Sequence, residues 1–459
     1  MPQTKYAIAD FAVARGILEN DYAVDPGGTK KIIPIYDVDV PIQHEQAFET
    51  VRFLSGSLAA IGGYPVEAIK RWTFTTYVYN TGDRQVLPPW AELLIPCSGF
   101  RKSKITGTAP SGTMNASASG SGVLNGTYYY KVSLVDADDS APLAGDRDET
   151  PASADFPTGG VTATNQKVTV TLPTPPSGKF YRIYRAKGSA TNPFYWVADL
   201  APTENSFVDN VEDNSVDFTR TAPVTADVNK TVFTPTSVDH ESLYAEFFLN
   251  SYKTAAAGSR GTWTLEASYG RALAMRWDMQ GLYVPSSETV AANPVTSALG
   301  PGMPYRFVSA SVNLWATSRS GTTSNSYSGA PQIKTPVVKR VTITPGTQVA
   351  IRGDALQASG VIELGIHQTF QPSVTLTVEV DRAFEWNPVA DYNAGVDFGL
   401  SISVSGGAGS GRSCRFSFPN CQIHEAPRHV REDNGILCWE IAFQPKNIYR
   451  DDWMRIELF

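Results

Sequence analysis

"GTWTLEASYGRALAMRWDMQGLYV", residues 261–284, decides the fold class. Trp263, Leu265 and Ala267 alternate with Thr264, Glu266 and Ser268, and then Leu273, Met275, Trp277 and Met279 alternate with Ala274, Arg276, Asp278 and Gln280. A period of two sends successive side chains to opposite faces of an extended chain, so each half reads as a strand with one apolar and one polar face. Tyr269-Gly270-Arg271 interrupts the alternation, and glycine accepts the positive φ of a tight turn at little cost. The stretch predicts a β-hairpin.

The same period recurs on both sides. In "RWTFTTYVY" (71–79), Trp72, Phe74, Thr76 and Val78 oppose Thr73, Thr75, Tyr77 and Tyr79. "SVTLTVEVD" (373–381) and "CWEIAFQP" (438–445) alternate likewise, and "FGLSISVSGGAGSGRSCRFSF" (398–418) reads as two strands around a glycine-rich loop. Antiparallel strands in such number predict a mostly β protein, a sandwich or partly closed barrel. One stretch departs from the pattern. In "VLPPWAELLIPCSGF" (86–100), Pro88-Pro89 starts a helical turn, Trp90, Leu93 and Leu94 fall on one face, and Pro96 with Gly99 stops it. That short flanking helix is expected to seal the sandwich, with Cys97 packed as a small hydrophobe.

A length of 459 residues sets a prior of two or three domains. Between residues 106 and 226 the style changes: a Gly/Ser/Ala stretch is followed by "NGTYYYKVSLVDAD", "KVTVTLP", "GKFYRIYRAKG", "FYWVADL" and "NSFVDN". Short strands with Pro/Gly turns predict a small β-sandwich of its own. It divides the chain into 1–105, 106–226 and 227–459. Because "TVFTPTS" (231–237) resumes the outer pattern, the middle segment is expected to sit in a loop of the rest, with its two ends close in space. It holds 13 acidic and 8 basic residues, so most of the chain's net charge of −7 belongs to it.

That charge leaves no broad basic surface to grip phosphates, which argues against conventional nucleic-acid binding. The start, "MPQTKYAIADFAVARGILEN", lacks the pattern of an export signal, and nowhere do 18 apolar residues run together. Cys97, Cys414, Cys421 and Cys438 lack zinc or redox spacing, although Cys414 and Cys421, flanking "RFSFPN", could meet across a turn. The five histidines show no metal spacing. "GGAGSG" (406–411) precedes a strand rather than the helix a phosphate loop needs, and Arg352-Gly353-Asp354 reads as a turn. His424, Glu425 and His429 do not place two imidazoles on one helical face, and Asp451-Asp452 reads as a turn. No catalytic, metal or cofactor residues emerge, and no enzyme activity is expected.

"TYYYKVSLVDADDSAP", "FYRIYRAKG" and "SFVDN" resemble the fibronectin type III or immunoglobulin-like modules found in phage virion proteins. The flanking parts resemble the tail tube proteins of long-tailed, siphophage-type bacteriophages. The resemblance rests on "KRWTFTTYVYNTGDRQVLPPWAELLIPCSGF", with its P-x-W-x-x-LL turn, and on "VFTPTSVDHESLYAEFFLNSYKTAAAGSRGTWTLEASYG", with its Pro-Thr-Ser strand start and G-x-RGT hairpin. It covers about two thirds of the chain once the middle segment is set aside; Pro96 and the chain length depart from the family.

The resemblance implies a homo-oligomer: hexameric rings stacked into a tube, assembled in the host cytoplasm and carried in the virion. Its partners would be the terminator, tip or baseplate and tape-measure proteins, with phage DNA crossing the lumen without sequence-specific binding. Glu266, Arg276 and Asp278 become candidate lumen residues. The middle segment would project outward, with Tyr128, Tyr129, Tyr181, Tyr184 and Trp196 as candidate surface contacts to host glycans. The alternative is a secreted or surface adhesin or carbohydrate-binding protein built of β-sandwiches; a tail-fibre depolymerase would need a carboxylate pair that no spacing supplies.

Overall fold

The computed structural model describes residues 13–19, 22–27, 29–35, 37–50, 63–79, 81–137, 147–237, 240–249, 252–284, 289–290, 304–308, 310–317, 333–334, 336–353, 361–367, 371–380, 386–405, 413–431, 435–447 and 453–458. The chain begins with β1 (Val13–Leu18), β2 (Lys31–Ile33), β3 (Asp37–Thr50) and β4 (Gly63–Tyr77), followed by α1 (Pro89–Glu92) and β5 (Phe100–Lys104). Then come β6 (Asn115–Asp136), β7 (Phe156–Thr171), β8 (Lys179–Lys187), β9 (Tyr195–Asp199), β10 (Ser206–Asp209) and β11 (Asp217–Thr221). The chain returns through β12 (Thr231–Pro235), β13 (Leu243–Leu249), β14 (Tyr252–Ser268), β15 (Ala274–Tyr283), β16 (Thr289–Val290), β17 (Ser311–Thr317) and β18 (Ile333–Lys334). Next are β19 (Val338–Thr344), β20 (Gln348–Gly353), β21 (Val361–His367), β22 (Ser373–Glu379) and α2 (Pro388–Ala394). The last strands are β23 (Asp397–Ser405), β24 (Ser413–Ile423), β25 (Arg428–Arg431), β26 (Leu437–Pro445) and β27 (Arg455–Leu458).

The hairpin read from the alternation is β14–β15, in register with Trp263 opposite Trp277 and with Gly270 at φ +78° in its turn. It lies at the centre of an antiparallel layer in the order β3-β4-β15-β14-β19-β22-β26-β25. A second antiparallel layer runs β5-β12-β27-β24-β23-β17-β18. Strand β24 belongs to both: Cys414–Ser417 pair with β27, and Cys421–Ile423 pair with β26. The apolar faces meet in one core that holds Trp263, Leu265, Met275 and Trp277 of the first layer with Leu314, Leu400, Phe416 and Ile456 of the second. The result is a mostly β sandwich joined along β24, without a closed barrel among the described residues.

The helix is shorter than its apolar face. After Glu92 the turn goes on through i→i−3 bonds, from Leu93 N to Trp90 O, Leu94 N to Ala91 O and Ile95 N to Glu92 O; Pro96 has no N–H to donate, and Cys97 N closes the turn on Leu93 O at 3.0 Å. Trp90, Leu93, Leu94 and Cys97 are nevertheless all buried in the main core, and Trp90 Nε1 donates to Tyr79 O at 2.7 Å. The chain then turns sharply at Ser98 (φ 89°) and Gly99 (φ 61°), where a Cβ on Gly99 would stand 2.6 Å from the His240 ring.

Strands β6 to β11 form a separate sheet, ordered β10-β7-β6-β8-β9-β11. Hydrogen bonding is continuous through the six strands, and register shifts between Ser119 and Asn125 bend the long β6 and β7 so that the sheet folds back on itself as a small sandwich. The residues read as a Gly/Ser/Ala linker are themselves strand from Asn115 onward. Gly120 and Gly126 take φ of +63° and +138°, and a Cβ on Gly122 would come within 2.6 Å of the Gln166–Lys167 backbone, so glycine permits the bulged bend of β6 against β7. The folded sheet encloses its own core of Leu124, Tyr130, Val132, Val168, Val170 and Ile183.

The strands leaving for and returning from this unit, β5 and β12, are antiparallel neighbours, and Asn229 N donates to Ile105 O at 2.8 Å. The two ends are therefore close in space. The unit rests on the outer face of the second layer: Trp315 of β17 packs with Tyr195, Val197, Val216 and Phe218. A Cβ on Gly399 would lie 3.3 Å from Trp315 Cε3 and 3.5 Å from Thr219 Cγ2, so the missing side chain leaves room for both.

Candidate functional site

In β14, Thr262, Thr264, Glu266 and Ser268 point away from the core, and in β15 Ala274, Arg276, Asp278 and Gln280 do the same. Register extends this polar face across the first layer. Arg276 lies between Thr264 and Thr75, Asp278 between Thr262 and Thr73, and Glu266 between Ala274 and Thr342. Beyond β19 follow Thr375 and Thr377 of β22 and Glu440 of β26. Glu266, Arg276 and Asp278 are all exposed, on one face and on adjacent strands.

The face carries both signs among hydroxyls. Glu379 pairs with Lys339 at 3.2 Å, and Glu440 with Arg428. Arg340, opposite Thr377, and Arg71, opposite Gln280 on the other side of the layer, are exposed as well. At one end the face is covered by the β20–β21 hairpin: Leu364 and Val349 pack on Ile69 and Leu282, and Arg260 donates to Glu363 Oε1 at 2.8 Å and to Leu364 O at 2.6 Å. Behind the face, burial and the nearby Asp278 push the Cys97 thiol up. Such a surface is wet, chemically mixed and built on rigid strands. It offers a polyanion no unbroken row of cations.

The middle segment's aromatic residues sit elsewhere than expected. Tyr128, Tyr181, Tyr184 and Trp196 are buried, at 0, 2, 0 and 8% exposure, so none can serve as a first surface contact; only Tyr129 is half-buried, its hydroxyl donating to Gly159 O at 3.3 Å. The reason is that β8 is covered on both faces. One side meets the unit's core. The other meets Phe194, Trp196 and the segment around Glu149.

Charge follows the rings inside. Arg182 clasps both oxygens of Asp199 at 2.7 and 2.8 Å and reaches Glu149 at 2.9 Å, while Tyr184 and Ser133 donate to Glu149 at 2.5 Å. Arg185, fully buried, donates to both oxygens of Asp209 at 2.9 and 2.7 Å, and Tyr130 adds a third bond at 2.7 Å. Burial and then the adjacent Glu149 push the Tyr184 hydroxyl up. Where the unit meets β27, Glu457 is shared by Lys230 at 3.2 Å, Arg455 at 2.8 Å and Arg415 at 3.3 Å. Burial works to raise that carboxyl, but the three cations outweigh it and hold it at about 2.

Cys414 and Cys421 do not meet across a turn: both lie on β24, seven residues apart on one extended strand, and all four cysteines are buried thiols outside any disulfide. Burial raises the thiols of Cys414 and Cys421. Arg352 and Gly353 lie in β20 and not in a turn; Asp354, the "GGAGSG" loop and Asp451-Asp452 lie outside the described residues. His429 stacks on Trp439 with ring centroids 3.7 Å apart, and His424 contacts Glu425. Among the described residues no three His, Cys, Asp or Glu side chains converge to hold a metal ion, and no helix is long and apolar enough to cross a membrane. In comparisons with known proteins, no family model and no curated protein matches the chain.

Proposed function

We propose that the protein is a tail tube subunit of a long-tailed bacteriophage. Copies join side by side into rings, six to a ring as in the resembled family, and rings stack into a conduit for DNA. The face bearing Glu266, Arg276 and Asp278 turns to the lumen, and the six-stranded unit stands outside. The observation that carries this reading is the placement of these two features on opposite layers: the polar face is the outer side of the first layer, while β6 to β11 rest on the outer side of the second. A subunit of a tube with an external decoration needs that arrangement.

Two further features support it. Among the described residues β3, 14 residues long, pairs with β4 alone, so the first layer ends in a long open edge on which another copy can add. The mixed charge of the polar face would let a phosphate backbone pass without strong ionic capture. Negative-stain microscopy of concentrated purified protein tests the reading. Hollow tubes of uniform width are expected; a protein that stays monomeric by light scattering under all such conditions overturns it.

A further inference from the structure

The outer face of the second layer is not filled evenly by the unit that covers it. Between them lies a cleft of about 410 Å³, within the range of small-molecule sites. Its floor follows from strand alternation: β17 presents Ser311 and Asn313, β23 presents Ser401 and Ser403, and β24 presents Arg415. Register sets these in rows, with Ser311 beside Ser403 beside Arg415, and Asn313 beside Ser401. The wall is aromatic. Tyr195 and Phe218 of the unit meet edge to face at 5.0 Å, and Trp315 completes it from β17.

Trp315 is 7% exposed, and its buried Nε1–H finds no acceptor among the described residues. Trp315 thus leaves a buried donor unmade, at a cost of about 1–3 kcal/mol, in a residue that lines the cleft. The lining contains neither carboxylate nor lysine. It thus offers a cation no counter-charge and sets Arg415 against it, and its hydroxyl floor suits no purely apolar ligand. Serine hydroxyls and an asparagine amide both donate and accept, which matches vicinal hydroxyl groups, while aromatic walls match the C–H faces of a sugar ring. Arg415 is held in place by Ser403 Oγ at 3.2 Å and Glu457 at 3.3 Å.

We propose that this cleft binds a saccharide of one or two pyranose rings, between Trp315, Tyr195 and Phe218 on one side and the Ser311, Asn313 and Ser403 floor on the other. The site belongs to the single chain and does not depend on whether copies assemble. The test uses the full chain on a printed array of neutral and acidic oligosaccharides, followed by calorimetry with the strongest binder.

Saturable binding to at least one sugar class is expected. Ser403→Trp, which fills the floor, should abolish it, and Asn313→Ala should weaken it by about 3- to 10-fold, the loss of one hydrogen bond. Arg276→Ala, on the opposite layer, should leave it unchanged. If Ser403→Trp does not fold, Asn313→Ala decides alone. Absence of binding across the whole array overturns the proposal, as does binding that either folded cleft variant leaves intact.

Discussion

The β14–β15 hairpin and the β6–β11 sheet are both antiparallel and both bury large aromatic residues, yet they do so on different terms. From Trp263 to Met279 the hairpin's inward side chains are apolar, and Glu266, Arg276 and Asp278 face out. In the six-stranded unit, Arg182, Arg185, Asp209 and Glu149 lie inside with the tyrosines. A core of the first kind is held by non-directional burial, one of the second by geometry that must be satisfied bond by bond. Mutation should therefore injure them in different ways.

The largest effect should come from stripping a buried charge of its nearer partner. Asp209→Ala takes from Arg185 its nearer carboxylate in the unit's interior and leaves it the longer contact to Asp213 at 3.2 Å, at an expected cost of about 3–5 kcal/mol in chemical denaturation. The double change Arg185→Met with Asp209→Leu should recover most of it, because well-packed apolar groups often replace a buried ion pair without loss. If the double variant is as unstable as the single, the pair is worth more than its burial costs. Leu265→Ala, in the main core, should cost about 2–5 kcal/mol through lost contact and the cavity left behind, with no second-site charge able to compensate.

Acidification probes the seam between the two regions. Glu457 is held below the ordinary carboxylate value, so its contribution is present above about pH 4.3 and is lost as pH falls toward 2. Thermal unfolding followed over that window should show a fall that Glu457→Gln flattens; an unchanged slope would remove Glu457 as its source. A smaller effect is expected at Gly99→Ala, about 1–2 kcal/mol, since both the positive φ and the 2.6 Å approach to His240 oppose a Cβ. Smallest of all, Glu266→Gln and Arg276→Gln should shift stability by no more than about 0.5 kcal/mol, because their side chains stand in solvent.

The same contrast explains what the sequence disclosed. Trp72, Trp263, Trp277 and Leu376 were readable as core because a half-buried strand writes its two environments into alternate letters. Strand β8 has no such grammar. "KFYRIYRAK" is aromatic or aliphatic at both parities, which is the mark of a strand covered on both faces, and that mark was available for Tyr181 and Tyr184. Nothing in the letters Arg182 or Asp209 announces burial, since the partner that makes a buried charge tolerable lies 17 or 24 residues away. The saccharide cleft is less legible still: its floor comes from three strands between residues 311 and 415 and its wall from the middle segment together with Trp315 of β17.

The join between unit and body has a mechanical meaning. Since β5 and β12 run antiparallel and both lead to the unit from the same end, a pull on the unit loads their hydrogen bonds in single file, starting at Ile105–Asn229. Bonds arranged across a pair of strands share a load when the strands slide and fail one after another when they are parted. The edge strand β5 should peel from β12 like a zip, yielding in small steps before the rest of the second layer feels the force.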